Sequence, residues 1–205
     1  MPLPTPQPRT PMHTRRVEYR GFQRDDGWWD IEGEMHDSKP HAFHLTGERA
    51  REPNEAIHHM HIRVTLDDQM VVRDVAVAMD AVPHGPCTQA EEPMRRMIGS
   101  SIGRGWRQAI ERHLGGVQGC THLRELLFNL ATAAFQTRSA SFGLPDDGSP
   151  PIHLGKCLTW DFNSPVVERI YPMFFRWQPP AKAPVAATTA TTAPVAPDAP
   201  AQAPQ

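Results

Sequence analysis

Cys120 and His122 stand at the start of the most hydrophobic helix that the sequence predicts. From Leu123 onward, apolar residues recur with helical spacing: Leu126, Leu127, Leu130, Ala131, Ala134 and Phe135. A helix that begins there presents both side chains at its first turn, where free backbone N–H groups and the helix dipole favour a thiolate. The pair can supply half of a metal site or a reactive thiol.

Two residues of the predicted sheet would complete a metal site. His58 begins one arm of a predicted hairpin and Cys87 follows the other arm, so antiparallel pairing brings the two to the same edge. If the helix packs across that edge, His58, Cys87, Cys120 and His122 become four ligands suited to zinc or iron. In the alternative interpretation both cysteines are inert packing residues, while His122 caps or packs and His58 is hydrogen-bonded at a strand end.

A second hypothesis makes Cys120 a nucleophile. The helix dipole would lower the pKa of its thiol, and His122 or His58 would act as the base. Thr121 is the expected N-cap of the helix. The apolar helix that follows is also typical of a thiol that is simply buried.

Acidic side chains on one predicted strand form a third candidate site. They alternate along the strand and therefore share a face, as paired acid–base carboxylates do: Asp30, Glu32 and Glu34. The solvated outer face of an antiparallel sheet has the same pattern. On that interpretation the acids pair with arginines of the preceding strand: Arg15, Arg16 and Arg20.

The order of the predicted elements indicates the fold class. Period-2 alternation predicts strands at 15–22, 28–36, 57–66 and 70–79, with a short strand at 43–45. The second half predicts helices at 91–99, 104–114 and 121–138, a strand at 156–160, and a short helix from Ser164 to Pro172. Strands followed by helices indicate an α+β fold, with an antiparallel sheet of about four or five strands covered by helices.

Composition limits the domain count and the function classes. Within 205 residues we expect one domain at 13–177, a disordered proline-rich lead at 1–12 and a disordered Ala/Pro/Thr-rich tail at 178–205. The net charge of −2 does not indicate a basic surface that would bind nucleic acid or a membrane. Three cysteines, an odd number, do not form a disulfide framework and fit a reducing cytoplasm.

Several stretches together resemble a bacterial family known as domain of unknown function 2889. They are His13-Thr14-Arg15-Arg16, Arg24-Asp25-Asp26-Gly27, Trp29-Asp30-Ile31-Glu32-Gly33, Ile57-His58, Gly105-Trp106-Arg107, Gly119-Cys120-Thr121-His122-Leu123, Glu125-Leu126-Leu127, Pro165-Val166-Val167 and Tyr171-Pro172. The resemblance covers residues 13–175 and implies no established activity.

A weaker similarity is to the U-type iron–sulfur cluster scaffolds. In those proteins a β-hairpin is followed by a cysteine loop, helices, and a helix led by another cysteine. The run 62–78, then Cys87, then Cys120 before the helix, follows this order. The similarity implies a ligand role for Cys87 and Cys120 alone, because His58 stands where the scaffold has its first cysteine.

Three functions stay open at this point. The first is a metal-binding accessory protein that holds zinc or iron. The second is a non-catalytic binding or assembly module for an unidentified protein partner, with structural cysteines. The third is a thiol-dependent enzyme that uses Cys120, so the sequence does not decide whether the protein is an enzyme.

Overall fold

The computed structural model describes residues 3–103, 105–138, 144–145 and 147–178. The chain divides into two compact units, residues 1–143 and 144–205. Residues 3–12 are exposed and contain neither helix nor strand. The predicted disordered tail lies outside the described residues from 179 onward, and the predicted extent of one domain over 13–177 stays a prediction.

The first unit contains a four-stranded antiparallel sheet within the described residues. Its strands are β1 (Thr14–Gln23), β2 (Trp29–Ser38), β3 (Ala56–Leu66) and β4 (Val72–Ala81). Each strand pairs with its neighbour in sequence, in the order β1-β2-β3-β4. The four long strands predicted from alternation are confirmed within two residues of their predicted ends. The short strand at 43–45 is reduced to a single bridge between Phe43 and Arg51.

One face of the sheet forms the core, as the alternation predicts. Along β2 every second side chain is buried, which confirms the predicted inward positions of Trp29, Ile31 and Met35. The same holds on β3 for Met60, Ile62, Val64 and Leu66. The α+β class, with an antiparallel sheet covered by helices, is therefore confirmed.

Two helices of the first unit cover this face: α1 (Trp106–Leu114) and α2 (Thr121–Arg138). Helix α2 has the bounds that its sequence predicts and buries Leu123, Leu126, Leu127 and Leu130. The Trp106 indole donates to the Leu127 carbonyl at 2.9 Å, which joins the two helices. The predicted helix at 91–99 is instead a 3₁₀ helix, Glu92–Met97, because the chain becomes extended at Ile98 and the Gly99 N–H donates to the Val72 carbonyl of β4 at 2.9 Å.

Helix α2 lies along the strands. In its second turn Arg15 of β1 contacts Glu125, and the Tyr19 hydroxyl of the same strand donates to the Leu126 carbonyl at 3.0 Å. At its C-terminal end the Arg138 guanidinium donates to the Asp68 carbonyl at 2.7 Å, in the turn between β3 and β4. The first turn of α2 therefore sits over the end of the sheet where β1 and β3 begin and β2 ends.

The second unit has a small core of its own: Leu154, Val167 and Phe174. Its helix α3 (Pro165–Ile170) is capped by Ser164, whose hydroxyl accepts from the Val167 N–H at 3.2 Å. The predicted strand at 156–160 is wrong. The Gly155 N–H donates to the Trp160 carbonyl at 2.7 Å, which closes the segment into a turn.

Candidate metal centre

Asp37 extends the buried face of β2 by one more step of its alternation. Its carboxylate is only 2 % exposed, beneath the first turn of α2. The antiparallel register places Asp37 opposite Arg15 on β1 and opposite His58 on β3. Three strands therefore bring a guanidinium and an imidazole to one buried carboxylate.

Arg15 holds both oxygens of the Asp37 carboxylate. Its Nε donates to Oδ1 at 2.8 Å and its Nη2 donates to Oδ2 at 2.7 Å, while Nη1 reaches the Glu125 carboxylate at 2.6 Å. His13 adds a contact of 3.3 Å between its Nε2 and Asp37 Oδ1. This bidentate pairing fixes the orientation of Asp37 and ties β1 to α2.

His58 and His122 meet beside this carboxylate. His58 Nδ1 lies 3.0 Å from Asp37 Oδ2, and an ionised carboxylate only accepts, so the ring donates. The His122 ring, from the first turn of α2, lies with its centroid 4.0 Å from that of His58. One ligand atom from each of Asp37, His58 and His122 lies within 4.8 Å of the other two. We call these three residues the inner cluster.

The surroundings shift the pKa of all three members. Burial raises the pKa of Asp37, but the hydrogen bond and charge of Arg15, with smaller contributions from His58 and His13, outweigh burial and hold it below its usual value. Burial lowers the pKa of both histidines, and the charge of Arg15 lowers that of His122 further. The inner cluster thus favours an ionised carboxylate beside two neutral imidazoles, the protonation state that metal ligands need.

The structure brings together two of the four ligands predicted from sequence, His58 and His122. Cys120 stands just before α2, and its carbonyl accepts the first helical hydrogen bond from Arg124 at 3.0 Å. Its Sγ lies 3.8 Å from His122 Nδ1, at the edge of the inner cluster. Thr121 is the first helical residue rather than the N-cap.

Cys87 is not brought into the inner cluster. It lies in a 3₁₀ helix, Gly85–Ala90, that follows β4. No group of three metal-ligating atoms within 4.8 Å includes Cys87 among the described residues. Three residues separate the end of β4 from this helix, so Cys87 does not continue the strand.

Sequence reasoning missed Asp37 and the role of Arg15. The alternation of the strands places both on the inner face, since Asp37 follows Met35 by two residues and Arg15 precedes Val17 by two. A charged residue at a position of the buried face interrupts the hydrophobic pattern and suggests that the strand has ended. The complementary charge, 22 residues away on the neighbouring strand, is what allows Asp37 to be buried.

The predicted acidic row lies on the other face of the sheet, as the solvated-face interpretation expects. Asp30, Glu32 and Glu34 are all partly exposed. Of the three arginines predicted to pair with them, Arg20 lies 3.6 Å from Glu34, whereas Arg15 is on the inner face with Asp37. Asp30 accepts a hydrogen bond of 2.6 Å from the Thr65 hydroxyl.

An antiparallel sheet covered by helices, with a buried carboxylate and two half-buried imidazoles at one end, defines an α+β protein with a candidate metal centre. Residues 13–136 match the family described as "Protein of unknown function (DUF2889)", and the chain belongs to this family. The resemblance found in the sequence motifs is thereby confirmed. Neither a curated protein nor a solved structure matches the chain. The similarity to U-type iron–sulfur scaffolds stays a prediction.

Among the described residues, no helix combines the length and the hydrophobicity that crossing a bilayer requires.

Proposed function

We propose that this protein binds zinc or iron(II) at the inner cluster, with Asp37, His58 and His122 as ligands. The observation that supports the proposal is the approach of their ligand atoms to within 4.8 Å from three separate elements, β2, β3 and α2. Two imidazoles and one carboxylate form a ligand set used by both metals, and it leaves coordination positions open.

A cation would take the place of a shared proton. The His58 N–H bridges to Asp37 Oδ2 over 3.0 Å, a separation that two ligands of one ion can also have. A metal at Nδ1 would then require the proton of the neutral ring to stand on Nε2, and it would loosen one of the Arg15 hydrogen bonds. Cys120 Sγ, 3.8 Å from His122 Nδ1, is placed to supply a fourth ligand after a side-chain rotation, and a thiolate favours zinc.

The proposed role is that of an accessory protein that holds a metal, and the proposal includes no catalysed reaction. Its cytoplasmic location is part of the proposal and rests on three unpaired cysteines, one of them exposed. A protein partner stays a prediction, as does the absence of nucleic-acid and membrane partners.

Zinc titration of the untagged full chain tests the proposal. We expect binding at the inner cluster to be lost in the double variant His58→Asn/His122→Asn and to weaken in Cys120→Ser. Cys87→Ser is the matched control and should bind zinc as the unmodified chain does. Elemental analysis of the protein as purified, before any metal is added, measures the metal that it retains from the cell.

A second candidate function follows from the Arg15 pairing. The bidentate contact with Asp37 and the further contact with Glu125 make the same cluster an anchor that holds α2 on the sheet of a non-catalytic module. This candidate predicts no metal in the purified protein. It also predicts that the zinc isotherm is unchanged when His58 and His122 are replaced.

A further inference from the structure

A second histidine cluster lies on the solvent face of the sheet. Here one ligand atom from each of Glu34, His59 and His61 lies within 4.8 Å of the other two. Because successive side chains of a strand point to opposite faces, the run from His58 to His61 supplies ligands to both faces of β3. We call Glu34, His59 and His61 the outer cluster.

The register of β3 and β4 places a further carboxylate beside the outer cluster. His59 pairs with Ala81 and Met60 pairs with Met79, so Asp80 is the inserted residue of a β-bulge. Its Oδ2 lies 3.1 Å from His61 Nε2 and 3.6 Å from His59 Nδ1. One carboxylate therefore contacts both rings, each through a single nitrogen.

The contacts of His59 indicate which of its nitrogens faces a cation. Its Nδ1 lies 3.6 Å from Asp80 Oδ2, which leaves Nε2 as the ligand atom. His59 Nε2 lies 2.9 Å from Glu34 Oε1, a separation that two ligands of one ion can also have. A carboxylate that orients ligating histidines is the usual outer shell of a metal site.

Two carboxylates face the outer cluster, which is open to solvent. Glu34 and Asp80 carry two negative charges, and the Arg20 guanidinium lies 3.6 Å from the second oxygen of Glu34. A hollow of 240 Å³ lies beside Glu34 and His61, and Arg20 and Arg63 also line it. The side chains of Glu34, His59 and His61 are 28–35 % exposed, so an ion bound there exchanges directly with solvent.

We propose that the outer cluster is a second, exchangeable site for a divalent first-row transition metal. Glu34, His59 and His61 are its ligands, and Asp80 orients the two rings. Imidazole and carboxylate ligands suit Zn²⁺, Cu²⁺ and Ni²⁺. The proposal does not depend on the inner cluster, because the two share no residue and lie on opposite faces of the sheet.

Zinc titration of the untagged full chain by calorimetry tests this site. The unmodified chain should bind two equivalents, and His58→Asn/His122→Asn should retain one. In that background, His61→Asn should remove the remaining equivalent. Asp80→Asn should weaken it about 10- to 100-fold, the loss usual for a partner that orients a ligand. His84→Asn is the matched control, because His84 is an exposed histidine paired with Glu48 at 2.8 Å and should have no effect.

The result that overturns the proposal is zinc binding that His61→Asn and Glu34→Gln leave unchanged, or no binding at all in the His58→Asn/His122→Asn background. If that background misfolds by circular dichroism, the same single variants are made in the unmodified chain. There each should remove one equivalent of two, and an undiminished stoichiometry refutes the site. A chain that binds one equivalent, lost in His61→Asn but kept in His58→Asn/His122→Asn, supports the outer site and refutes the inner one.

Discussion

Asp37 carries a negative charge at a position where the strand otherwise buries apolar side chains. The free energy of burying a carboxylate is offset only if its hydrogen bonds and charge partners are all in place. Arg15, His13 and His58 supply those partners from both neighbouring strands and from the segment before β1. The same residues that make the inner cluster a candidate metal centre therefore also contribute to the stability of this end of the sheet.

Removing Arg15 separates these two contributions. In Arg15→Gln, Asp37 stays buried with histidine partners only, so we expect the free energy of unfolding to fall by about 3 kcal/mol in urea denaturation. Zinc should bind the inner cluster at least roughly tenfold more tightly, because a competing positive charge is gone. The control is Arg16→Gln, on the opposite face of β1, where stability should change by no more than about 0.5 kcal/mol. Equal behaviour of the two variants would contradict the role of Arg15.

The two half-buried histidines of the inner cluster should make stability depend on pH. Burial lowers the pKa of His58 and of His122 in the folded chain. Between those values and the ordinary pKa of about 6.5, the unfolded chain binds more protons, so the free energy of unfolding rises with pH. We expect the full stabilisation above about pH 6.5 and a progressive loss as the pH falls toward 5.

Urea denaturation between pH 7.5 and pH 5 measures this loss in the absence of metal. His58→Gln/His122→Gln should lose less stability over this range than the unmodified chain. Some dependence remains, because burial also lowers the pKa of His153 in the second unit. Asp37 gives a separate loss at lower pH, since its own pKa lies below the usual value. Equal slopes in the two proteins would contradict a neutral buried histidine pair.

Alternation predicted the position of His58 on the inner face, but it did not predict Asp37 or exclude Cys87. Hydrophobic patterning identifies buried apolar residues, and a buried carboxylate is recognisable only once its partner strand is known. Cys87 was predicted to lie at the edge of the sheet because it follows β4 in the sequence. It lies instead in a 3₁₀ helix with Pro86 in its first turn, and periodicity does not predict so short an element.

Contact between α2 and the sheet depends on two glycines. At Gly33 a Cβ would lie 2.9 Å from the Tyr19 ring, so the missing side chain allows that ring to pack across the strand. At Gly21 a Cβ would overlap the Thr137 side chain, near the end of α2. The absence of a side chain at Gly21 therefore allows α2 to pack close to β1.

Gly21→Ala tests this limit. We expect the free energy of unfolding to fall by about 1–3 kcal/mol, because the added methyl group pushes α2 away from β1. Thr137→Ala, which removes the opposing side chain, should recover much of the loss when it is combined with Gly21→Ala. The double-mutant cycle is measured by urea denaturation. Additive losses would contradict a direct contact between the two positions.

The elements themselves were largely predictable. The extent of helix α2 was predicted, although its N-cap was not, because its apolar stripe extends over most of its length and an unbroken 3.6-residue period is a strong signal. The segments at 91–99 and 156–160 were not, since each is too short for its period to decide between helix, strand and turn. In such segments individual backbone hydrogen bonds, such as that from Gly155 to Trp160, decide the backbone conformation.

Both proposed metal sites lie in the first of the two units. The buried cluster of that unit extends from Trp29 to Ala134, and the core of the second unit begins at Leu154. The segment that matches the family also ends at 136, before the boundary between the units. The part of the chain that carries the proposed function therefore has a hydrophobic core of its own.

A fragment of residues 1–143 tests this independence. We expect it to unfold cooperatively, to retain the far-UV circular dichroism of a sheet covered by helices, and to bind zinc with the stoichiometry of the full chain. Thermal unfolding and calorimetry measure both properties. A fragment that is unfolded or aggregated would show that the second unit is needed for the first to fold.

The order of strands in the sheet has a consequence for how this protein assembles. Each strand pairs with its sequence neighbour, so the meander can grow by closing short loops. The Tyr19 contact to Leu126, in contrast, joins residues 107 positions apart. We therefore expect α2 to dock late, after the strands have paired. Zinc binding by His58 and His122 requires that α2 has docked on the sheet. The rate at which a refolding chain gains zinc binding would then measure the final folding step.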